Sequence, residues 1–208
     1  MVRKFRESVS SLIPLKKFVY LISPNKINKE FYSKLDDVLS YGNVKFFQLR
    51  LKKIKNNSLT SIIKKIKKIT SKHKVKFIIN DNYILAAKSI AEGCHMGQLD
   101  GSIKIAKKKL QNKILGVTCH NSKILATKAT RDGANYLAFG SFFRSKLKPN
   151  AIKANFDILK WAKKNIKKPI VAIGGINNLN YKKLIKFGAK YIATVSYTHL
   201  RAHETRGN

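Results

Sequence analysis

Two cysteines, Cys94 and Cys119, among 208 residues are too few for a disulfide framework. Each falls inside a run of strand type, which reads as a reduced, buried thiol. Long hydrophobic runs are missing as well: the longest are strand-sized, so the ~20 apolar residues that a membrane-spanning helix needs are not there. The start, MVRKFRESVSSLIPLKK, is basic, but Pro14 breaks its apolar part and it has no signal-peptide core. A cytoplasmic chain is expected. Acidic residues are scarce, 10 against 44 Lys and Arg, which leaves a formal net charge of +34. Taken alone, that charge suggests nucleic acid, whose phosphates reward clustered bases. The basic residues are mostly Lys, however, scattered over helical segments such as 62–68 and 103–109, where they alternate with Ile. That is the pattern of a solvated helix face, so nucleic acid is not the expected partner; anionic small molecules would still be attracted.

What is present suits one domain with a real core, since 44% of the residues are hydrophobic. The stretch that organises the chain is VKFIINDNYILAAKSIAEGCHMGQLD, residues 75–100. Its front, 75–79, is a β-branched and aromatic strand that stops at Asn80-Asp81. The spacing predicts a helix over 83–91, with Ile84, Leu85, Ala87 and Ile90 on one face, ended by Gly93. Residues 94–97 read as a second strand, leading within three residues to Asp100. In a parallel strand-helix-strand unit the two strand ends lie side by side, so Asp81 and Asp100 are expected on one rim, able to share a hard cation.

The same alternation runs through the chain. Strands are predicted at 18–22, 44–49, 114–117, 136–139, 169–173 and 191–195, and helices at 28–39, 58–71, 103–110, 122–131, 156–166 and 179–187. The helix at 58–71 carries a stripe of Leu59, Ile62, Ile63, Ile66 and Ile69. About eight strands, nearly all followed by a helix, predict an α/β fold of (β/α)8 TIM-barrel type in a single domain. A doubly wound open sheet is the alternative, but its usual glycine-rich first turn is absent.

The polar residues gather where a barrel would build its site. Arg50, Asp81, Asp100, Thr118, Lys148, Gly175 and Ser196 lie at or just past the C-terminal ends of predicted strands. Gln48, Arg50 and Lys52 alternate, so one face carries all three; they either converge on an anion or sit as solvated charges on an edge strand. Gly174-Gly175, with the backbone near Ser196, has the make-up of a phosphate cradle, in which absent side chains let amides approach.

The segments FFQLRLK, FIINDN, GCHMGQLD, LGVTCHNS, LAFGSFF followed by a Lys, PIVAIGGI and ATVS resemble, in order and spacing, the thiamine phosphate synthase family and its thiazole tautomerase relatives. The resemblance covers residues 18–196. It implies a (β/α) barrel that joins 4-amino-5-hydroxymethyl-2-methylpyrimidine diphosphate to thiazole phosphate, giving thiamine phosphate and pyrophosphate. It implies that Gln48, Arg50, Lys52, Asn80, Thr118 and Lys148 hold the pyrimidine diphosphate, with Arg50, Lys52, Lys148 and Thr118 serving the chemistry. Asp81 and Asp100 match ligands of Mg2+. The loop of Ser145, Lys146 and Leu147, with Gly175, Val195 and Ser196, matches the thiazole phosphate site. The alternatives are an isomerase of the same fold, with a rim histidine such as His120 moving a proton, and a basic nucleic-acid-binding protein.

The chain departs from the family pattern in places. Leu51 stands where an acidic residue is usual, and Arg144, Ser145 and Leu147 stand where Pro, Thr and Thr are. Leu147 cannot donate a hydroxyl, which leaves the thiazole open. Residues 1–17 read as a basic extension and 197–208, YTHLRAHETRGN, as an atypical tail, with the last helix of the barrel expected to be missing or replaced. His199, His203 and Glu204 have metal-binding spacing without the surroundings that would support it. The pairs Cys94-His95 and Cys119-His120 put their members on opposite faces of a strand, so packed core or rim positions are expected for them.

Overall fold

The computed structural model describes residues 18–51, 56–144 and 152–195. In order they form β1 (Val19–Ile22), α1 (Glu30–Ser40), β2 (Val44–Leu49), α2 (Asn56–Lys72), β3 (Lys76–Asn80), α3 (Tyr83–Lys88), β4 (Gly93–Met96), α4 (Ile103–Leu110), β5 (Ile114–His120), α5 (Lys123–Arg131), β6 (Tyr136–Phe139), α6 (Asp157–Asn165), β7 (Ile170–Ile173), α7 (Tyr181–Lys186) and β8 (Tyr191–Thr194). Each strand pairs in parallel with the next, and β8 closes on β1, Val19 opposite Ile192. This is the expected TIM-type parallel barrel, and the segment past Val195, where the last helix is expected to be missing or replaced, lies outside the described residues.

The strands read as nearly continuous apolar runs because both faces are covered. Alternate residues separate into two cores. Leu21, Phe47, Phe77, Cys94, Val117 and Leu137 belong to an outer layer packed under the helices. Tyr20, Phe46, Ile78, Tyr136, Val171 and Tyr191 belong to an inner cluster. The inner rings pack tightly: Phe46 lies 5.3 Å from Tyr20, 5.5 Å from Tyr136 and 5.2 Å from Tyr191 between centroids. The interior is therefore a filled core, and a ligand must meet the barrel at its mouth. The α2 stripe also lies as expected, with Ile63 and Ile66 buried and Leu59, Ile62 and Ile69 packed beside them.

Several boundaries differ from the sequence reading, three of them with consequences for the rim. The helix expected over 83–91 stops at Lys88, because the Ser89 hydroxyl donates to Ala86 O (3.3 Å) and accepts from Ala91 N (3.2 Å), competing with the helix for backbone partners. Its buried residue is Ala86, whereas Ile84 and Ile90 are about half exposed, at 53% and 52%. Strand β5 runs three residues past the expected Val117, through a register shift between Thr118 and His120. Helix α7 begins at Tyr181, later than expected. The basic extension 1–17 and the tail 197–208, with His199, His203 and Glu204, lie outside the described residues. Among the described residues no helix is long and apolar enough to cross a membrane.

Candidate active site

At the C-terminal end of β2, Gln48 faces inward, is buried, and donates from its side-chain amide to the Asn80 Oδ1 of β3. Arg50 follows directly. Its N–H donates to the hydroxyl of the buried Ser23 (2.9 Å), while Ser23 N donates to Gln48 O (2.8 Å). The Arg50 guanidinium is held by Asn25 Oδ1 at 2.9 Å. The turn after β1 thus fixes the β2 end, a role that the sequence reading missed. In the sequence, Ser23-Pro24-Asn25 after the first strand signals a turn and nothing more.

Past β3 the chain turns sharply. Asp81 has φ 63°, a left-handed conformation that Asp tolerates better than most residues, and its N–H donates to His95 O on β4 (2.7 Å). Asn82 then caps α3 by accepting from Leu85 N at 2.8 Å. Past β4, Asp100 Oδ2 accepts from Gly97 N at 2.6 Å, and a Cβ at Gly97 would lie 3.2 Å from that oxygen. Strands β3 and β4 are neighbours, Asn80 opposite His95, so both aspartates stand on one rim as expected. Burial, with the charges of Asp81 and Asp100 added, pushes the Cys94 thiol up to about 12, so both carboxylates act on the same strand.

This donor set fits magnesium. Mg2+ keeps several waters and takes one or two carboxylates together with substrate phosphate, and one Asp100 oxygen is already oriented by a backbone amide. Among the described residues no third His, Cys, Asp or Glu joins the two. A protein cage such as zinc favours is not what these residues make.

Thr118, on β5, points inward at the rim and is half-buried. Its hydroxyl lies 2.8 Å from His95 Nε2, and His95 Nδ1 lies 2.9 Å from the Tyr136 hydroxyl, which lies 2.7 Å from that of Tyr20. Burial pushes the His95 imidazole down to about 4, partly offset by the Asp100 charge, and burial raises the Tyr20 and Tyr136 hydroxyls. The imidazole is neutral at ordinary pH. The Cys-His pairs are split by strand alternation: Cys94 and Cys119 are free and buried in the outer layer, His95 is buried inside and His120 is exposed on the rim. The sequence reading placed His95 in the packed core or rim and missed its contact with Thr118. Gly116 is the signal that could have shown it. An inward glycine opposite Tyr136 on β6 leaves room for that ring, since a Cβ at Gly116 would lie 1.9 Å from Tyr136 Cζ.

Among the described residues, the opposite side of the mouth is made mainly of backbone. Phe142 N donates to Ile173 O (3.1 Å) and Phe143 N to Gly174 O (3.0 Å), so the loops after β6 and β7 interlock. A Cβ on Gly174 would lie 1.9 Å from Ser141 Oγ, and one on Gly175, where φ is 59°, 2.3 Å from Arg144 O. Asn180 Nδ2 donates to Gly175 O (3.0 Å), and Asn180, not Gly175, directly precedes α7. Helix α7 thus begins six residues past Gly175, with this turn between them. Val195 follows β8, half-buried against the inner cluster. Of the remaining expected site residues, Lys52, Ser145, Lys146, Leu147, Lys148 and Ser196 lie outside the described residues.

Residues 19–197 match the family model described as thiamine monophosphate synthase. The chain is 56% identical over 183 residues to a thiamine-phosphate synthase of Pelagibacter ubique, covering 88% of each chain. It is 39% identical over 180 residues to one of Erythrobacter litoralis, covering 84% of each. Among solved structures it resembles a thiamine phosphate pyrophosphorylase from Pyrococcus furiosus, with a TM-score of 0.77, 28% identity and 86% of each chain covered.

Proposed function

The chain belongs to the thiamine monophosphate synthase family, and on that premise we propose that it condenses a pyrimidine diphosphate with a thiazole phosphate to give thiamine phosphate and pyrophosphate. The observation that carries this reading is the gathering of Gln48, Arg50, Asn80, Asp81, Asp100 and Thr118 at one mouth, on four consecutive strands and the turns after them. An isomerisation has no departing anion to hold, and the relatives are named as synthases, which favours the transferase over the tautomerase alternative.

The chemistry suits these residue types. The carbon–oxygen bond at the pyrimidine methylene breaks, its electrons leave with the pyrophosphate, and the remaining cation is stabilised by the amino-substituted ring. The thiazole nitrogen then adds to that carbon. No side-chain nucleophile is required, so the protein's work is to hold two reactants in line and to stabilise a leaving anion. Arg50, fixed by Asn25, is one such positive group. Lys52 and Lys148 are the others that the family resemblance assigns. The Gln48–Asn80 pair, locked by its own hydrogen bond, orients the pyrimidine end. Asp81 and Asp100 would hold magnesium, which when bound supplies positive charge beside the diphosphate. Gly174, Gly175 and Val195, with Ser145, Lys146, Leu147 and Ser196, are assigned to the thiazole phosphate. Two reduced buried thiols agree with a cytoplasmic setting.

The deciding experiment measures pyrophosphate release with both substrates and magnesium. Release that requires the pyrimidine diphosphate, the thiazole phosphate and the metal together is the expected result. Absence of coupling under those conditions would reject the reading.

A further inference from the structure

Among the described residues, a line of polar side chains runs through the apolar interior of the barrel and ends at a residue of the mouth. Tyr20, 1% exposed, has the Tyr136 hydroxyl as its hydrogen-bond partner among the described residues. Tyr136, 2% exposed, also reaches His95 Nδ1. His95 Nε2 reaches Thr118 Oγ1, which has no other hydrogen-bond partner among the described residues. Gly116 keeps the path open, because a Cβ there would lie 2.2 Å from the Tyr136 hydroxyl oxygen.

Counting hydrogens fixes the direction of this line. Each tyrosine has one hydrogen to give, and a neutral imidazole has one donor and one acceptor nitrogen. If Tyr136 donated to Tyr20, the Tyr20 hydrogen would be buried without an acceptor, an unfavourable arrangement. Tyr20 therefore donates to Tyr136 and Tyr136 donates to His95 Nδ1. The imidazole then carries its hydrogen on Nε2 and donates to Thr118 Oγ1. Its one accepting site is used by Tyr136, so the Thr118 hydrogen must go elsewhere, and the direction open to it is the mouth.

We propose that His95 is a positioning residue: through Tyr136 and Tyr20 it is held in the Nε2-protonated tautomer, which turns the Thr118 hydroxyl into a donor for an anionic substrate oxygen. This rests on the reading that Thr118 meets the pyrimidine diphosphate. The opposite order would turn a Thr118 lone pair toward that anion and repel it.

The test is made on the full chain, labelled with 15N, and needs no substrate for its first part. The imidazole nitrogen signals of His95, assigned by their loss in His95→Gln, are expected to show a protonated Nε2 and a bare Nδ1. A protonated Nδ1 in the unaltered protein overturns the proposal. In Tyr136→Phe, melting as the unaltered chain does, the single tautomer is expected to give way to a mixture; Tyr20→Phe replaces it if that variant does not fold. The second part is kinetic. Thr118→Val is expected to raise KM for the pyrimidine diphosphate by about tenfold, in keeping with a lost hydrogen bond to a charged group. Tyr136→Phe is expected to raise it by less, and to add nothing on top of Thr118→Val. Effects that multiply independently overturn the relay. An unchanged KM in Thr118→Val with the tautomer intact overturns the substrate assignment of Thr118, and the proposed role falls with it, while the nitrogen signals still report the interior line.

Discussion

The two halves of the barrel mouth are built from different material. From β2 to β5 the rim carries side chains: Gln48 on Asn80, Arg50 on Asn25, Asp100 on the Gly97 amide, and Thr118 on His95. From β6 to β8 its described residues contribute mainly backbone, with Phe142 and Phe143 amides bonded to Ile173 and Gly174 carbonyls and no room for a Cβ on Gly174 or Gly175. In the first half, an amide can replace a carboxylate without moving the main chain, so chemistry and stability are separable. In the second half any added atom pushes one loop off another, so the site and the fold change together.

The largest expected effect tests the first half. Replacing both Asp81 and Asp100 by Asn is expected to lower magnesium-dependent pyrophosphate release by roughly 100-fold or more, the scale of losing fixed charge at a developing anion. The melting temperature should hardly move, because the amide oxygen introduced by Asp100→Asn can still accept from Gly97 N. Undiminished coupling in the double variant would discard the metal assignment. Gly175→Ala tests the second half. A left-handed φ of 59° and a contact at 2.3 Å with Arg144 O make it costly, by about 2 kcal/mol or more, which for a chain of this size lowers Tm by roughly 5 °C or more. A variant that melts normally but has lost thiazole phosphate binding would erase the distinction between the halves.

Smaller effects sharpen the contrast. Arg50→Ala is expected to raise KM for the pyrimidine diphosphate by about tenfold with little loss of stability, since the guanidinium's partner Asn25 is exposed to water. An equal rise for the thiazole phosphate would show that Arg50 serves the whole mouth. The smallest effect concerns Cys94 and Cys119. Burial pushes both thiols up to about 12, so at neutral pH neither forms thiolate in the fold. An alkylating reagent at pH 8 should leave both unmodified until denaturant is added, as mass spectrometry would show. Rapid labelling of Cys94 in the native protein would mean that the β3–β4 rim opens.

Much of the first half was legible in the sequence because its signals are local. A strand of β-branched and aromatic residues ending in Asn80-Asp81, and a second ending shortly before Asp100, place two carboxylates by chain direction alone. Gln48 and Arg50 follow from alternation in β2. The second half was legible only as Gly174-Gly175, since glycine says that something comes close without saying what. The something is the loop after β6, which meets Gly174 through Ser141 and Gly175 through Arg144. Helix α3 is shorter than periodicity predicts because Ile84 and Ile90 fit a helical stripe, while the Ser89 hydroxyl, which ends it, acts through backbone contacts that periodicity ignores.

The sequence by itself determined the alternation of strands and helices, the parallel barrel and the ends at which polar residues emerge, because all of these follow from the repeat of apolar residues and from chain direction. Only the tertiary structure decided which inward residues meet: His95 reaches Thr118 over 23 residues and Tyr136 reaches Tyr20 over 116. Closing eight strands into one ring brings together side chains from strands far apart in the sequence, and the direction of a hydrogen bond between them depends on burial and on which acceptors remain.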